Sequence, residues 1–282
     1  MSAPAPPPPD TTPARTVRWS GMTHPGRVRK NNEDTFLALT FDASEVRYLG
    51  KTGESTLDQG DFVFAVSDGM GGAKSGEIAS KIATEKITQL LPRSFKLSAQ
   101  HIDAGRSDVL IELFHRIHAR LSHLGRSYDE CRGMGATLSL GWFTPGWMHF
   151  GHIGDSRIYW QPKAGKLRQI TEDDTHVGWL FRQGKITERE ARNHPRKSIL
   201  GQALGAGHQF LDPQVGSVRC ESGDRFLFCT DGVIDGIWDH RLADFLTEPT
   251  PPAGKTFAQT LVEYAVAESG KDNASAVTVE LL

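Results

Sequence analysis

The feature that most constrains the fold is a succession of short apolar runs joined by tight turns. Residues 136–142 and 147–153 are separated by Thr-Pro-Gly, and residues 157–161 and 167–170 flank Pro-Lys-Ala-Gly. Pairs of short runs joined in this way predict antiparallel hairpins. The runs do not alternate with helical segments as they would in a parallel sheet. The sequence therefore predicts antiparallel sheets.

Three other stretches carry apolar residues at helical spacing. They span residues 78–91, 109–124 and 257–266, and we expect the first to end near Pro92. Long helices beside antiparallel sheets predict an α+β fold with the helices on the outer faces of the sheets. Residues 46–60 have weak periodicity, which predicts a loop or an irregular hairpin.

Composition and charge exclude several classes of protein. The 282 residues contain 32 Lys and Arg against 34 Asp and Glu, a formal net charge of -2. A general binder of nucleic acid or anionic membranes needs a basic excess. No apolar run reaches the roughly 18 residues that a membrane span requires. Three widely spaced cysteines and no signal-peptide pattern favour a cytoplasmic location.

The amino-acid composition of the chain changes near residue 15. Residues 1–14 are rich in proline and predict a disordered tail, for which a solvated leader and an SH3-type polyproline ligand are alternative interpretations. From Thr16 onward the sequence has globular patterning. We therefore predict a single domain over residues 15–282.

Four aspartates share one local pattern, in which an apolar run is followed by Asp and then by a turn-forming residue. They are Asp68, Asp155, Asp231 and Asp272. If antiparallel strands bring these ends together, the carboxylates repel one another unless a cation neutralises them, and oxygen ligands favour Mg²⁺, Mn²⁺ or Ca²⁺. Asp-Gly pairs also simply form turns. Spacing alone leaves both interpretations open.

A second acidic segment lies beside a basic cluster. Glu33 and Asp34 follow Arg27, Arg29 and Lys30 within a few residues. Such a segment by itself is typical of a solvated loop with local ion pairs. Beside a metal centre, the same carboxylates could orient water and an arginine could hold a phosphate dianion.

Six motifs occur in an order that resembles one known family. They are residues 26–34 (GRVRKNNED), 66–72 (VSDGMGG), 133–138 (GMGATL), 154–159 (GDSRIY), 229–233 (CTDGV) and 272–275 (DNAS). Together they resemble the bacterial type-2C, metal-dependent (PPM-class) serine/threonine protein phosphatases. The resemblance covers nearly everything except the proline-rich tail.

The resemblance implies a fold and a metal centre. The fold is a β-sandwich of two antiparallel sheets flanked by helices on both outer faces, and the site binds two Mn²⁺ or Mg²⁺ ions. Asp68 would bridge the two ions, and the carbonyl of Gly69 would ligate one of them. Asp231 and Asp272 would hold the other. Asp155 resembles an extra aspartate that holds a third, weaker ion.

The resemblance also implies a reaction. Hydroxide activated by the binuclear centre would hydrolyse phosphoserine and phosphothreonine in proteins without a covalent intermediate. Arg29 matches the phosphate-binding arginine of the family, and Glu33 and Asp34 would hold metal-bound waters or complete a ligand shell. Arg29, Asp34 and Asp68 form the predicted catalytic set.

The proton donor to the leaving group is open. Met70 stands where some relatives have a histidine that serves as the general acid. A metal-bound water is the first candidate for this role, and His152 is the second. The implied partners are phosphorylated proteins made by a bacterial serine/threonine kinase, and a monomer without nucleic-acid or membrane partners is expected.

Residues 171–205, called the flap below, resemble the flap subdomain of the family. They predict two short helices, with a break at Gly184 and a stop at Pro195. The flap is either a solvated appendage or a mobile lid that touches substrate, and the second interpretation is favoured. His176 and His194 are predicted to be structural or to contact substrate.

Two other functions are weighed against the phosphoprotein phosphatase. A pseudophosphatase, which binds phosphoprotein without turnover, is expected to lack metal aspartates, and none is missing here. A phosphomonoesterase for small molecules would keep the same chemistry and differ only in substrate. Rates on phosphothreonine peptides, phosphotyrosine peptides and sugar phosphates would discriminate between these functions.

Overall fold

The computed structural model describes residues 16–42, 44–98, 105–248 and 250–282. The predicted tail at residues 1–14 lies outside them. Within the described residues, two antiparallel sheets pack face to face. The first contains six strands, in the order β10 (Arg168–Gln169), β9 (Arg157–Gln161), β13 (Arg225–Cys229), β14 (Ala274–Leu281), β1 (Thr16–His24) and β4 (Thr52–Thr56).

The second sheet contains eight strands. Six run in the order β11 (Leu204–Gly205), β6 (Gly135–Ala136), β5 (Asp61–Met70), β7 (Leu138–Thr144), β8 (Trp147–Ile153) and β12 (Gln214–Arg219). The other two are β2 (Asp34–Phe41), which pairs with β5, and β3 (Val46–Tyr48), which pairs with β2. The two predicted hairpins form as β7–β8 and β9–β10.

Helices cover the outer faces of both sheets. The second sheet carries α1 (Ala73–Ser98) and α2 (Arg106–Ser127), and the first carries α5 (Asp231–Gly236), α6 (Asp239–Thr247) and α7 (Phe257–Glu268). The flap contributes α3 (His176–Arg182) and α4 (Glu188–Asn193), and short 3₁₀ turns occupy Leu57–Gln59 and Asp129–Cys131. None of the helices in the described ranges is long and apolar enough for a membrane span.

Three buried apolar clusters separate these layers. The central cluster fills the space between the sheets and is dominated by aromatic side chains, with the Phe143 ring centroid 5.2 Å from that of Phe226 and 5.8 Å from that of Phe64. The other two clusters lie between each sheet and its helices. This order of helix, sheet, sheet and helix confirms the predicted α+β sandwich.

Two local predictions are wrong. The first helix does not end near Pro92 but continues to Ser98, since a proline removes one hydrogen bond from a helix without necessarily ending it. Residues 46–60 are not a loop or a hairpin. They contain β3 and β4, which pair with β2 and β1 in different sheets, so the segment crosses from one sheet to the other.

Candidate metal centre

The four predicted aspartates meet at one end of the sandwich. Asp68 lies near the end of β5, and Asp231 begins α5 directly after β13. Asp155 lies between β8 and β9, and Asp272 lies just before β14. Of the predicted site residues, the following line one cavity of about 550 Å³: Arg29, Glu33, Asp68, Gly69, Asp155, Asp231 and Asp272. The aspartates therefore do more than form turns.

Asp34 lies behind this cavity. The pairing of β2 with β5 places Asp34 directly opposite Asp68. Its side chain is buried, and its Oδ2 accepts a 2.7 Å hydrogen bond from the hydroxyl of Thr230. Its Oδ1 is buried without a hydrogen-bond partner in the described part of the chain. Asp34 thus supports the wall of the cavity that contains Asp68.

The carboxylates raise one another's pKa. Burial raises the pKa of Asp68 well above its ordinary value, and the negative charges of Asp34, Asp231, Asp155 and Asp272 raise it further. Burial is also the main cause at Asp34 and Asp155, where the pKa rises to about 7. Like charges held this close out of water are costly unless protons or cations neutralise them.

The donor set fits hard divalent cations. Asp231 Oδ1, like Asp34 Oδ1, is buried without a hydrogen-bond partner among the residues described. All the acidic groups of the cavity offer oxygen, which suits Mg²⁺, Mn²⁺ or Ca²⁺. Within the described ranges, no group of three or more His, Cys, Asp or Glu side chains is placed so that it could hold one ion. Mg²⁺ does not require such a group of three side chains, because it keeps several water ligands and is commonly held by one or two carboxylates.

Close backbone packing fixes the position of Gly69. Its N–H donates a 3.2 Å hydrogen bond to the carbonyl of Glu33. A Cβ at position 69 would lie 1.9 Å from the carbonyl oxygen of Gly76, at the start of α1, so only glycine fits. The first turn of α1, the end of β5 and the segment before β2 are therefore packed together at the cavity.

Arg29 is paired with one of the predicted metal ligands. Its Nη2 donates a 2.6 Å hydrogen bond to Asp272 Oδ2, and its side chain is half exposed at the cavity. The guanidinium supplies the positive charge that a phosphate group needs. In the arrangement described, this charge offsets that of Asp272, so binding of a phosphate there requires the guanidinium to share or leave this carboxylate.

A family model described as protein phosphatase 2C matches residues 51–269. This chain belongs to the protein phosphatase 2C family. The chain is 30% identical over 269 residues to the serine/threonine protein phosphatase PstP of Mycobacterium tuberculosis. That match covers 94% of this chain but 45% of PstP, so the chain spans less than half of that relative.

Solved structures of phosphatases share the fold. The serine/threonine phosphatase of S. agalactiae matches with a TM-score of 0.76 and 25% identity, over 94% of this chain and 100% of that one. The catalytic domain of PstP, crystallised with two manganese ions, matches with a TM-score of 0.69 and 28% identity, over 95% of this chain and 99% of that one. The resemblance inferred from the six motifs is confirmed.

The flap has the predicted pair of short helices and is anchored to α5. Gly184 separates α3 from α4. The Arg192 guanidinium donates hydrogen bonds to the carbonyls of Ile234 and Ile237, the second at 2.7 Å. The Lys197 ammonium pairs with the carboxylate of Asp235. These contacts hold the flap against the helix that begins with Asp231.

Several residues of this region were not singled out from the sequence. Asp235 lies four residues after Asp231 in α5, and its charge contributes to the raised pKa of Asp231. This spacing places both carboxylates on one side of a helix, which is a signal that could have found Asp235. Ser198 and Leu200 of the flap also line the cavity. No motif marked them.

The histidines considered from the sequence lie outside the cavity lining. His176 stacks on Trp179 with ring centroids 5.8 Å apart, and His194 Nδ1 accepts a hydrogen bond from the Arg196 N–H. His152 is completely buried. It cannot reach a leaving group in this arrangement, so its interpretation as the second candidate for the general acid is wrong.

Proposed function

We propose that this chain hydrolyses phosphoserine and phosphothreonine in proteins at a divalent metal centre. Asp68, the Gly69 carbonyl, Asp231 and Asp272 would hold two ions, and Asp155 would hold a third, weaker one. The observation that carries the proposal is the crowding of buried carboxylates whose pKa values rise through burial and mutual repulsion. When bound, Mn²⁺ or Mg²⁺ offsets these charges and lowers the pKa of a water ligand.

The residues of the chain bind and orient the substrate around this centre. Arg29 would receive the phosphoryl oxygens, because a guanidinium forms charge-assisted hydrogen bonds to phosphate. Glu33 lines the cavity, where its carboxyl would orient a water molecule, and burial raises the pKa of this carboxyl. Ser198 and Leu200 would place the flap beside the residues that flank the phosphorylated side chain.

The proposal extends to the setting of the enzyme. A serine/threonine kinase must supply the phosphoester that the enzyme consumes. We propose that the enzyme is a monomer located in the cytoplasm. It would have one catalytic domain over residues 15–282, with the flap as a lid. Sedimentation and cell fractionation test the monomeric state and the location.

Metal-dependent release of phosphate from peptides tests the function. A phosphothreonine peptide should be hydrolysed in Mn²⁺ and not after chelation, and readdition of Mn²⁺ should restore the rate. Phosphotyrosine peptides and sugar phosphates should be hydrolysed at least about tenfold more slowly, if substrate contacts contribute a typical 1.4 kcal/mol of discrimination. Equal rates on all three substrates would favour a general phosphomonoesterase, and binding without turnover would favour a pseudophosphatase.

Replacement of Arg29 with Ala is expected to lower kcat/KM for the phosphopeptide by about 10–100-fold. This range corresponds to the loss of a charged hydrogen bond worth about 1.5–3 kcal/mol. Steady-state kinetics at saturating Mn²⁺ measure the effect, and Arg29→Lys should retain part of the activity because it keeps the charge without the guanidinium fork.

Arg27 offers a matched control for this prediction. It is an exposed arginine of the same loop, and its Nη2 donates a 2.9 Å hydrogen bond to the carbonyl of Ser269. Arg27→Ala should leave kcat/KM within about twofold of the unmodified enzyme, since loss of an exposed surface contact typically costs less than about 0.5 kcal/mol. Equal losses in Arg27→Ala and Arg29→Ala would remove Arg29 from the phosphate site.

A further inference from the structure

We propose that His152 is a positioning residue that holds residues 154–156 against the base of the flap and thereby fixes the carboxylate of Asp155. The inference rests on the proposed function, because it treats Asp155 as part of the divalent metal centre. Because His152 is buried and cannot touch substrate or the reacting atoms, it would act only through the residues that it positions.

Both ring nitrogens of His152 have partners. The ring is completely buried in β8, and Nδ1 lies 2.8 Å from the hydroxyl oxygen of Ser139. That oxygen lies 2.9 Å from the hydroxyl oxygen of Ser156. Nε2 lies 3.2 Å from the carbonyl oxygens of Gly154 and Glu172. His152 therefore connects β7, the turn that contains Asp155 and the start of the flap.

One tautomer satisfies these contacts. A carbonyl oxygen can only accept, so Nε2 carries the proton and is shared between the two carbonyls. Nδ1 then accepts from Ser139, whose oxygen accepts in turn from the hydroxyl of Ser156. Burial lowers the pKa of His152 to about 4, so the ring is neutral near neutral pH. The hydrogen bonds therefore run in one direction, from the hydroxyl of Ser156 through Ser139 to His152 and then to the two carbonyls. Ser156 directly follows Asp155 in the chain.

The flap holds the same turn from its other side. Asp174 Oδ2 accepts a 2.9 Å hydrogen bond from the Gly154 N–H, and the Asp174 N–H donates a 2.7 Å hydrogen bond to the Gly154 carbonyl. The far end of the flap joins this arrangement, because the Gly201 N–H donates to the Asp174 carbonyl at 2.6 Å. The turn and both ends of the flap are thus one hydrogen-bonded unit.

Backbone geometry leaves this turn little freedom. Gly154 has a φ of +103°, and a Cβ there would lie 2.6 Å from the side chain of Thr137. Gly154 and Ser156, the two neighbours of Asp155, are both held by the His152 network. Because both neighbours of Asp155 belong to this network, we expect a change at His152 to shift the carboxylate of Asp155.

His149 provides a matched control in the same strand. Its Nδ1 lies 2.7 Å from the hydroxyl of Ser217, and partial burial lowers its pKa to about 4. It therefore resembles His152 in strand, serine partner and direction of the pKa shift. It has no contact with residues 154–156 or the flap in the hydrogen bonds of the described residues.

Binding of Mn²⁺ alone tests the inference. Calorimetry or electron paramagnetic resonance of free Mn²⁺ would compare the unmodified protein with His152→Leu and His149→Leu. Loss of an outer-shell partner typically weakens metal binding by about 10–100-fold, so His152→Leu should weaken the weakest Mn²⁺ binding event by about tenfold or more. The stronger events should change less, and His149→Leu should bind like the unmodified protein.

A double-variant comparison separates positioning from general damage. In an Asp155→Asn background, His152→Leu should weaken Mn²⁺ binding no further, because the carboxylate through which it acts is already gone. Equal weakening of all binding events, or the full additional loss in the Asp155→Asn background, would overturn the inference. If His152→Leu does not fold, His152→Gln and His152→Asn replace it. Gln places its amide donor nearer the two carbonyls, so it should bind Mn²⁺ more tightly than Asn.

Hydrogen exchange of the metal-free protein supplies a second readout. Amides of residues 153–158 should exchange faster in the His152 variant than in the His149 variant, and unchanged exchange would contradict the inference. Failure of the proposed function is recognised separately. An unmodified protein that releases no phosphate would reject that function, whereas the exchange comparison would still decide the role of His152.

Discussion

Replacement of Asp231 with Asn is expected to lower Mn²⁺-dependent hydrolysis of p-nitrophenyl phosphate by about 1,000-fold or more. Such a loss corresponds to roughly 4 kcal/mol, which is the scale of charge stabilisation that a catalytic metal supplies. Asp231 is a sequence-predicted ligand, and its Oδ1 is buried without a hydrogen-bond partner among the residues that the structure describes. Asn keeps the shape of the side chain but removes the negative charge that attracts the cation.

The same substitution is expected to stabilise the metal-free protein. Burial raises the pKa of Asp231, and the nearby carboxylates of Asp155, Asp235 and Asp272 raise it further, so its negative charge is unfavourable when no cation is present. A neutral amide removes this repulsion. In chelator, Asp231→Asn should therefore melt at a higher temperature than the unmodified protein. Added Mn²⁺ should raise the melting temperature of the unmodified protein more than that of the variant.

Asp61 is the matched control for this prediction. It is buried at the opposite end of β5 from Asp68, and its Oδ2 accepts a 2.7 Å hydrogen bond from Trp142 Nε1. Asn can still accept that bond, so Asp61→Asn should keep Mn²⁺-dependent turnover within about twofold, an energy change below about 0.5 kcal/mol. Full turnover in Asp231→Asn would place the metal centre elsewhere.

Local sequence signals predicted the parts of the fold that depend on neighbouring residues. Turn residues marked the hairpin β7–β8, and apolar periodicity marked α2 and α7. Pairing between distant segments carried no such signal, which is why the paths of β3 and β4 into different sheets were missed. The stability of a strand depends on the neighbouring strands with which it pairs. The intrinsic β-propensity of a segment does not specify which strands those are.

The site shows the same division. The aspartates were found because each one follows an apolar run, and the family motifs supplied their grouping. Contacts that depend on three-dimensional packing were not readable, such as the pairing of Arg29 with Asp272 and the position of Asp34 opposite Asp68. These contacts matter because they determine how the charges of the site are balanced before a metal binds.

The second large effect expected is a loss of stability in the metal-free protein as pH rises from about 6.5 to 8.5. The pKa values of Asp34 and Asp155 rise from 3.8 to about 7 in the folded protein. The folded state therefore holds protons that the unfolded state releases near pH 4. The stability that these groups contribute is fully present below about pH 3.8 and is lost as pH rises through about 7.

This pH window reduces the opposing effect of three histidines, because burial lowers the pKa of His118 as well as those of His149 and His152. The pKa values of His149 and His152 fall from 6.5 to about 4 on folding. Their contribution therefore increases mainly between pH 4 and 6.5 and rises by only about 0.4 kcal/mol per histidine above that range.

Between pH 6.5 and 8.5 the carboxylates dominate, because Asp68 and Asp231, whose pKa values are also raised, add to the effect of Asp34 and Asp155. The melting temperature in chelator should fall by roughly 2 °C or more. A change of 1 kcal/mol moves the melting temperature of a domain of similar size by about 2–4 °C.

Scanning calorimetry in chelator and in saturating Mn²⁺ measures this effect. Mn²⁺ binds the deprotonated carboxylates, so the stabilisation that it provides should increase with pH over the same window. Asp155→Asn should flatten the decline seen in chelator, because it removes one of the two groups with a pKa near 7. Asp61→Asn should flatten it less, since Asp61 is far from the carboxylate cluster. A melting temperature in chelator that stays constant or rises over this window would show that the crowded carboxylates do not carry protons in the folded protein.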